Sequence, residues 1–241
     1  MNELSTQTPV ANIVLVHGGF VDGSGWQGVY RILSQSGYKV TIVQNPTTSL
    51  ADDVAVTRRA IAQADGPVIL VGHSWAGFVI TEAGMDPKVV GLVYVAAFAP
   101  DVGENAGDLN SKFPGSLVGP ALAPPVPLPN GGHDLYVRQD KFHDAFAPDV
   151  PADAAKLAAA AQRPVTDIAF SEPATAPAWK TLPSWFVYGD HDTAIVPKLH
   201  AFMAERAHPR ATSVVPGASH VVMISHAEAV AKVIEDAATA H

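Results

Sequence analysis

The sequence predicts an α/β protein: one domain built on a six-stranded parallel sheet with helices on both faces, and a cap inserted after the fourth strand. Three observations carry that expectation. Short apolar runs alternate with segments of helical period, which implies βαβ units and right-handed crossovers. The runs are nearly continuous in Val, Ile and Leu, as strands covered on both faces must be. The alternation stops at Pro100 and resumes after Leu182, and the stretch between holds 12 of the chain's 20 prolines. The core is therefore expected at 1–99 and 183–241, and the cap at 100–182.

Residues 11–16 form the first strand, which ends in His17-Gly18-Gly19-Phe20. Trp26, Val29, Tyr30 and Leu33 recur at helical spacing, and Gly37 stops that helix. Residues 39–43 are the second strand, broken by Pro46. A helix over 50–64 carries Val54, Ile61 and its alanines on one side and Asp52, Asp53, Arg58 and Arg59 on the other. Gly66-Pro67 ends it. The third strand, from Val68, runs into Gly72-His73-Ser74-Trp75-Ala76-Gly77, with a helix over 78–85 behind it, and 89–96 is the fourth strand. Within 100–182 the proline-rich cluster 124–132 precedes a helix over 152–162, opened by Pro151 and closed before Pro164. So long a loop within a compact domain is usually functional, often a lid. A strand at 185–188, a helix at 198–207, a strand at 211–215 and a closing helix at 227–238 complete the chain. Val230, Val233, Ile234 and Ala237 stripe one face of that last helix.

Composition narrows the function. Apolar content of 48% with 16% charged residues fits a soluble globular protein. A net charge of -8 argues against nucleic acid or an anionic membrane as partner. The absence of cysteine excludes disulfides and thiolate metal sites. Residues 1–8 are polar and lack the pattern of a secretory leader, and no run is long enough to span a bilayer, so a cytoplasmic location is expected.

A serine between a buried strand and a helix is lifted clear of the sheet with its hydroxyl exposed. Ser74 stands so, in the pattern G-x-S-x-G with Ala76 for the last glycine. Gly77 follows one position later and does not stand in for it. The small residues at 72 and 76 flank a turn too sharp for large side chains. A serine nucleophile needs a base, and the base needs a group to orient it. Asp190 and Asp192 follow the fifth strand, and Pro216-Gly217-Ala218-Ser219-His220 follows the sixth. Serine, carboxylate and imidazole thus sit past the carboxyl ends of strands, where open parallel sheets hold their sites. Either aspartate could reach His220. His226 is the nearest rival imidazole, but its setting reads as the capped start of the last helix. His17 and His73 abut glycines and read as packing for the loop and the turn. The backbone N–H of Trp75, next after the nucleophile, is a donor for an oxyanion.

The motifs Leu-Val-His-Gly-Gly, Gly-His-Ser-x-x-Gly, Val-Tyr-Val-Ala-Ala-Phe-Ala-Pro and Ser-His-Val-Val-Met resemble those of the α/β-hydrolases. The likeness covers 11–99 and 183 to the end of the chain. Within that fold it points to the small esterases and hydroxynitrile lyases best known from plants, and to bacterial relatives. The resemblance implies the α/β-hydrolase fold and a Ser74-His220-Asp192 triad. The acid falls on Asp192 because Gly189-x-x-Asp192-x-x-Ile195-Val196-Pro197 resembles the family's acid loop. Asp190 is left to cap the turn. His17-Gly18-Gly19 resembles the oxyanion loop and assigns the second donor to Gly19.

The function expected is hydrolysis of a small, largely apolar carboxylic ester through an acyl-enzyme, with no cofactor or metal. Phe20, Phe98, Val221 and Met223 adjoin catalytic positions and are the candidate substrate contacts. Amide or carbamate cleavage uses the same machinery. A cyanohydrin lyase would want a cation beside the histidine, where Val221 stands. Perhydrolase activity and a non-catalytic receptor on this fold are the remaining alternatives.

Overall fold

The computed structural model describes residues 10–129 and 131–240. The polar stretch 1–8 and Asn130 of the proline-rich cluster lie outside the described residues. The first part of the chain forms β1 (Asn12–Val16), α1 (Gln27–Gln35), β2 (Lys39–Val43), α2 (Leu50–Gln63), β3 (Val68–His73), α3 (Ala76–Ala83) and β4 (Val89–Val95). Then come α4 (Ala106–Ser111), α5 (Val118–Ala121), β5 (Val126–Pro127), β6 (His133–Leu135), α6 (Gln139–Phe146), α7 (Ala152–Ala161), β7 (Val165–Thr166) and α8 (Asp167–Ser171). The last part is β8 (Ser184–Gly189), α9 (Pro197–Ala207), β9 (Ala211–Val215), α10 (Val222–Ser225) and α11 (Ala227–Thr239).

Six strands make one parallel sheet in the order β2-β1-β3-β4-β8-β9. The composition of each strand fits its position. Strands β1, β3 and β8 are buried at every residue, whereas β2 and β9 expose Lys39, Thr41 and Thr212 and lie at the edges. Polar residues on edge strands discourage further pairing. The order reverses once: the chain leaves β1 outward to β2, then crosses back to β3. With right-handed crossovers, that reversal puts α1 on one face and α2 and α3 on the other. The packing agrees, since α1 pairs with α11 and α2 with α3. The loops after β1 and β3 therefore diverge, opening a crevice at the carboxyl edge of the sheet.

Local signals set the helix ends. Ser49 caps α2 by accepting from the Asp52 N–H, and Pro197 opens α9. Three details differ from the sequence reading. Asp53 is not on an exposed face but fully buried, because it accepts three hydrogen bonds from neighbouring loops. A short extra turn, α10, precedes α11. His226 occupies the position before α11 but makes no side-chain cap bond.

Between β4 and β8 the chain forms short helices and a small antiparallel sheet, β5-β6-β7. Its ties run to the loops at the carboxyl edge. Phe20 N–H donates to the Arg163 carbonyl at 3.0 Å, Thr166 N–H to Thr47 at 3.1 Å, and Leu117 N–H to Thr193 at 2.8 Å. Ser219 donates through both N–H and Oγ to the Asp149 carboxylate.

Among the described residues, five non-glycine positions have left-handed backbone, and four of them stand just past β1 to β4: Phe20 (φ 62°), Thr47 (60°), Ser74 (55°) and Ala96 (42°). Each such residue carries a cost of roughly 1–2 kcal/mol.

Candidate active site

The turn after β3 is held by absent side chains. A Cβ on Gly77 would stand 1.8 Å from the Phe98 carbonyl oxygen, so α3 could not approach the end of β4 with any larger residue there. A Cβ on Gly72 would fall 2.7 Å from the Ala76 carbonyl oxygen. The methyl of Ala76 is accommodated and fully buried. The steric demand thus rests on Gly72 and on Gly77, the latter one position beyond the last residue of the G-x-S-x-G pattern. Gly18 has the same role across the crevice, since its Cβ would lie 2.7 Å from that of Ser74.

The loop after β9 brings His220 to Ser74. His220 Nε2 is 2.8 Å from Ser74 Oγ, and His220 Nδ1 is 2.8 Å from Asp192 Oδ2. Neither His220 nor Asp192 is more than 2% exposed. An imidazole so held can take the hydroxyl proton while the carboxylate fixes its tautomer. Asp190 does not share in this. It accepts from the Gly217 N–H at 2.6 Å and pairs with His191, bracing the acid loop against the histidine loop rather than capping its own turn.

Asp192 is saturated with donors. Its Oδ1 accepts from the Ala194 and Ile195 N–H groups at 2.8 and 3.0 Å. Its Oδ2 accepts from His220 and also from His200 Nε2 at 2.9 Å. Burial alone would raise this carboxyl, but the two histidines outweigh it and hold it well below the usual carboxylate range. His200, fully buried on α9 and stacked on Tyr188 at 4.6 Å, is itself kept neutral by burial. The sequence offered one weak signal for it, its place in the first turns of the helix that the acid loop enters.

His73 and His17 are buried and neutral. Burial lowers His73 well below its ordinary value, and its Nε2–H donates to the His220 carbonyl at 2.9 Å. Burial lowers His17 to about 4, and its Nδ1–H donates to the Gly18 carbonyl at 2.8 Å. In a trans peptide the N–H points opposite to the C=O. Pinning the Gly18 oxygen to the His17 ring therefore turns the Gly19 N–H away from that ring. Among the described residues neither Gly19 N–H nor Trp75 N–H has a protein acceptor, and both residues line the cavity at Ser74. Asp53 steadies Trp75 by accepting from its indole Nε1 at 2.9 Å, and burial raises that carboxyl despite its three donors.

The cavity at Ser74 and His220 is narrow, about 40 Å³. It adjoins a wider one of about 370 Å³ lined by Phe98 and by residues between β4 and β8. Phe98, Asn110, Val118 and Phe170 belong to both. Of the expected contacts, Phe20 and Phe98 line the inner cavity. Val221 and Met223 line neither cavity. Both are buried in the core, and the Met223 methyl packs 3.2 Å from the Cβ position of Gly25. Once His220 faces Ser74, the α10 turn carries the residues after it inward. Val118, Phe146, Phe170 and Ile195 line the inner cavity instead. Their sequence neighbourhoods carry no periodic signal for it.

Comparison with known proteins agrees with this architecture. Residues 13–233 match the model of the alpha/beta hydrolase family. Alpha/beta hydrolase nvfD of Aspergillus novofumigatus is 28% identical over 247 residues, covering 94% of this chain and 96% of that protein. Pyrethroid hydrolase of Sphingobium wenxiniae is 28% identical over 163 residues, covering 60% and 57%. Polyneuridine aldehyde esterase superposes with a TM-score of 0.80 at 19% identity, covering 93% of this chain and 98% of that one. The chain belongs to the alpha/beta hydrolase family. No helix among the described residues is long and apolar enough to cross a membrane.

Proposed function

We propose that this hydrolase cleaves small, largely apolar carboxylic esters, with Ser74 as nucleophile, His220 as base and Asp192 as its orienting acid. One observation carries the reading: the His220 ring bridges Ser74 Oγ and Asp192 Oδ2 with 2.8 Å on each side. Ser74 Oγ attacks the ester carbonyl carbon as its proton passes to His220 Nε2, and Asp192 stabilises the imidazolium. The carbonyl π pair moves onto oxygen, which the N–H groups of Gly19 and Trp75 receive. The C=O re-forms, the alkoxide leaves and takes the proton from His220, and an acyl-enzyme remains. Water then repeats the sequence and releases the acid.

The apolar lining of the inner cavity supports a small apolar substrate, and the esterase and hydrolase names among the relatives agree with ester chemistry. In this reading residues 100–182 act as a cap that forms the outer wall. The lyase alternative gains nothing, since neither Lys nor Arg lines either cavity among the described residues.

The test is reaction with a fluorophosphonate probe and turnover of a short p-nitrophenyl ester. Wild-type protein should do both and Ser74→Ala neither. Wild-type protein that takes no label would overturn the reading.

A further inference from the structure

The inner cavity has a polar feature that the proposed triad does not use. Besides the Trp75 indole, which is bound to Asp53, the polar side chains lining it are those of Ser74, His220 and Asn110. Asn110 lies at the end of α4 and belongs to both cavities.

Its amide orientation is fixed by what surrounds it. Ser116 Oγ donates its proton to the Ala194 carbonyl at 2.8 Å. A hydroxyl has one proton to give, so towards Asn110 the same oxygen must accept. The atom 3.3 Å from it is therefore the Asn110 Nδ2, which donates. The carboxamide oxygen, Oδ1, is left buried with no hydrogen-bond partner. A buried acceptor without a donor is uncommon in a folded chain and asks for an explanation. The other residues shared by the two cavities, Phe98, Val118 and Phe170, have apolar side chains and offer it none.

Resting on the esterase reading, we propose that Asn110 is a specificity-determining residue whose Oδ1 accepts a hydrogen bond from the substrate. The substrate class is then an ester that is apolar for most of its length but carries one hydroxyl or amide N–H a few bonds from the scissile carbonyl. The position is read from the cavity lining. The inner cavity has room for the reacting carbonyl and little more, and Asn110 stands where a bound chain passes from it into the wider one. Pockets of this kind take orientation from a few polar groups in an apolar lining. A site built to bond a donor discriminates against the analogue that lacks it, because the acceptor is then left unpaired.

The test compares paired esters of nearly equal size. Ethyl 3-hydroxybutyrate against ethyl butyrate probes a donor on the acyl side, and 2-hydroxyethyl butyrate against propyl butyrate probes the alcohol side. One hydroxylated member should exceed its plain partner in kcat/KM by roughly tenfold or more, and Asn110→Leu should collapse that ratio towards one. Asn110→Ala serves as a second variant should the leucine impair folding. Equal rates for both pairs in the wild type, or a ratio unchanged in both variants, would overturn the proposal. Binding of the same pairs to Ser74→Ala, followed by calorimetry, separates this outcome from failure of the esterase reading. If the wild type takes no fluorophosphonate and turns over no ester, the esterase reading falls. A hydroxyl preference in binding that disappears in Asn110→Leu would still support the acceptor role, and its absence would refute it.

Discussion

The central sheet and the stretch between β4 and β8 are specified in different ways. The sheet is held by long apolar strands and by backbone ladders between neighbours of fixed register. The intervening stretch has no ladder longer than three residues on any strand, and it is tied down by scattered hydrogen bonds to loops and helices. Those ties reach three of the loops that form the site: Arg163 to the loop after β1, Leu117 and Ser116 to the acid loop, and Asp149 to the histidine loop. In the proposed reading, the sheet fixes where the reacting groups stand, and the stretch laid over it decides what can reach them. Change in the first should therefore be felt as lost chemistry or lost fold, and change in the second as altered access and local order.

The largest expected effect belongs to the sheet side. Asp192→Asn should lower kcat by about 10⁴-fold with the fold intact, because an amide in this position favours the wrong tautomer of the base. Asp190→Asn should stay within a few-fold, since that carboxylate contacts Gly217 and His191 instead. Steady-state kinetics on one ester decides it, and a larger loss at 190 would move the acid.

Next in size is an acid sensitivity rooted at the sheet edge. His17 is protonated only near pH 4 in the folded chain, against 6.5 for its ordinary value. Between those values the unfolded chain binds the proton and the folded chain does not. Stability is then full above about pH 6.5 and falls as pH drops towards 4, by about 3 kcal/mol from this group. Urea titrations at pH 7 and pH 4.5 should show the loss, and His17→Gln should reduce the difference between them. An unchanged difference would assign the acid sensitivity to other groups.

The smallest effect should come from the overlying stretch. Thr166 Oγ1 donates to the Thr48 carbonyl at 2.7 Å and caps α8 by accepting from the Ala169 N–H at 3.0 Å. Thr166→Val removes both bonds and should cost about 1–2 kcal/mol. Hydrogen exchange should quicken over 126–171 and leave β1, β3 and β4 protected. Equal loosening of those strands would erase the distinction between the two regions.

The same contrast explains what could be read from the chain alone. Every strand of the large sheet and its flanking helices were legible, because period and burial write themselves into apolar spacing over four residues or more. The family match and the six-strand order bear out that architecture. The elements between Pro100 and Leu182 were not legible beyond α7, since two-residue strands and one-turn helices leave no period. Ser74, His220 and Asp192 could be proposed because each follows a strand in a recognisable turn. Asp53 and Asn110 could not, and His200 only weakly, because folding brings them to their partners. Val221 and Met223 show the reverse error, in which nearness in sequence to His220 stood in for nearness in space.

The left-handed residues past β1 to β4 have a further consequence. Phe20, Thr47, Ser74 and Ala96 would each sit more comfortably as glycine, and together their discomfort, at roughly 1–2 kcal/mol apiece, is comparable with the net stability of a typical domain. Any gain from glycine would be confined to Ser74 and Ala96, since Phe20 and Thr47 are buried and would forfeit packing and hydrogen bonds worth more than the strain. Relief of that strain at Ser74 would cost the chain its proposed nucleophile.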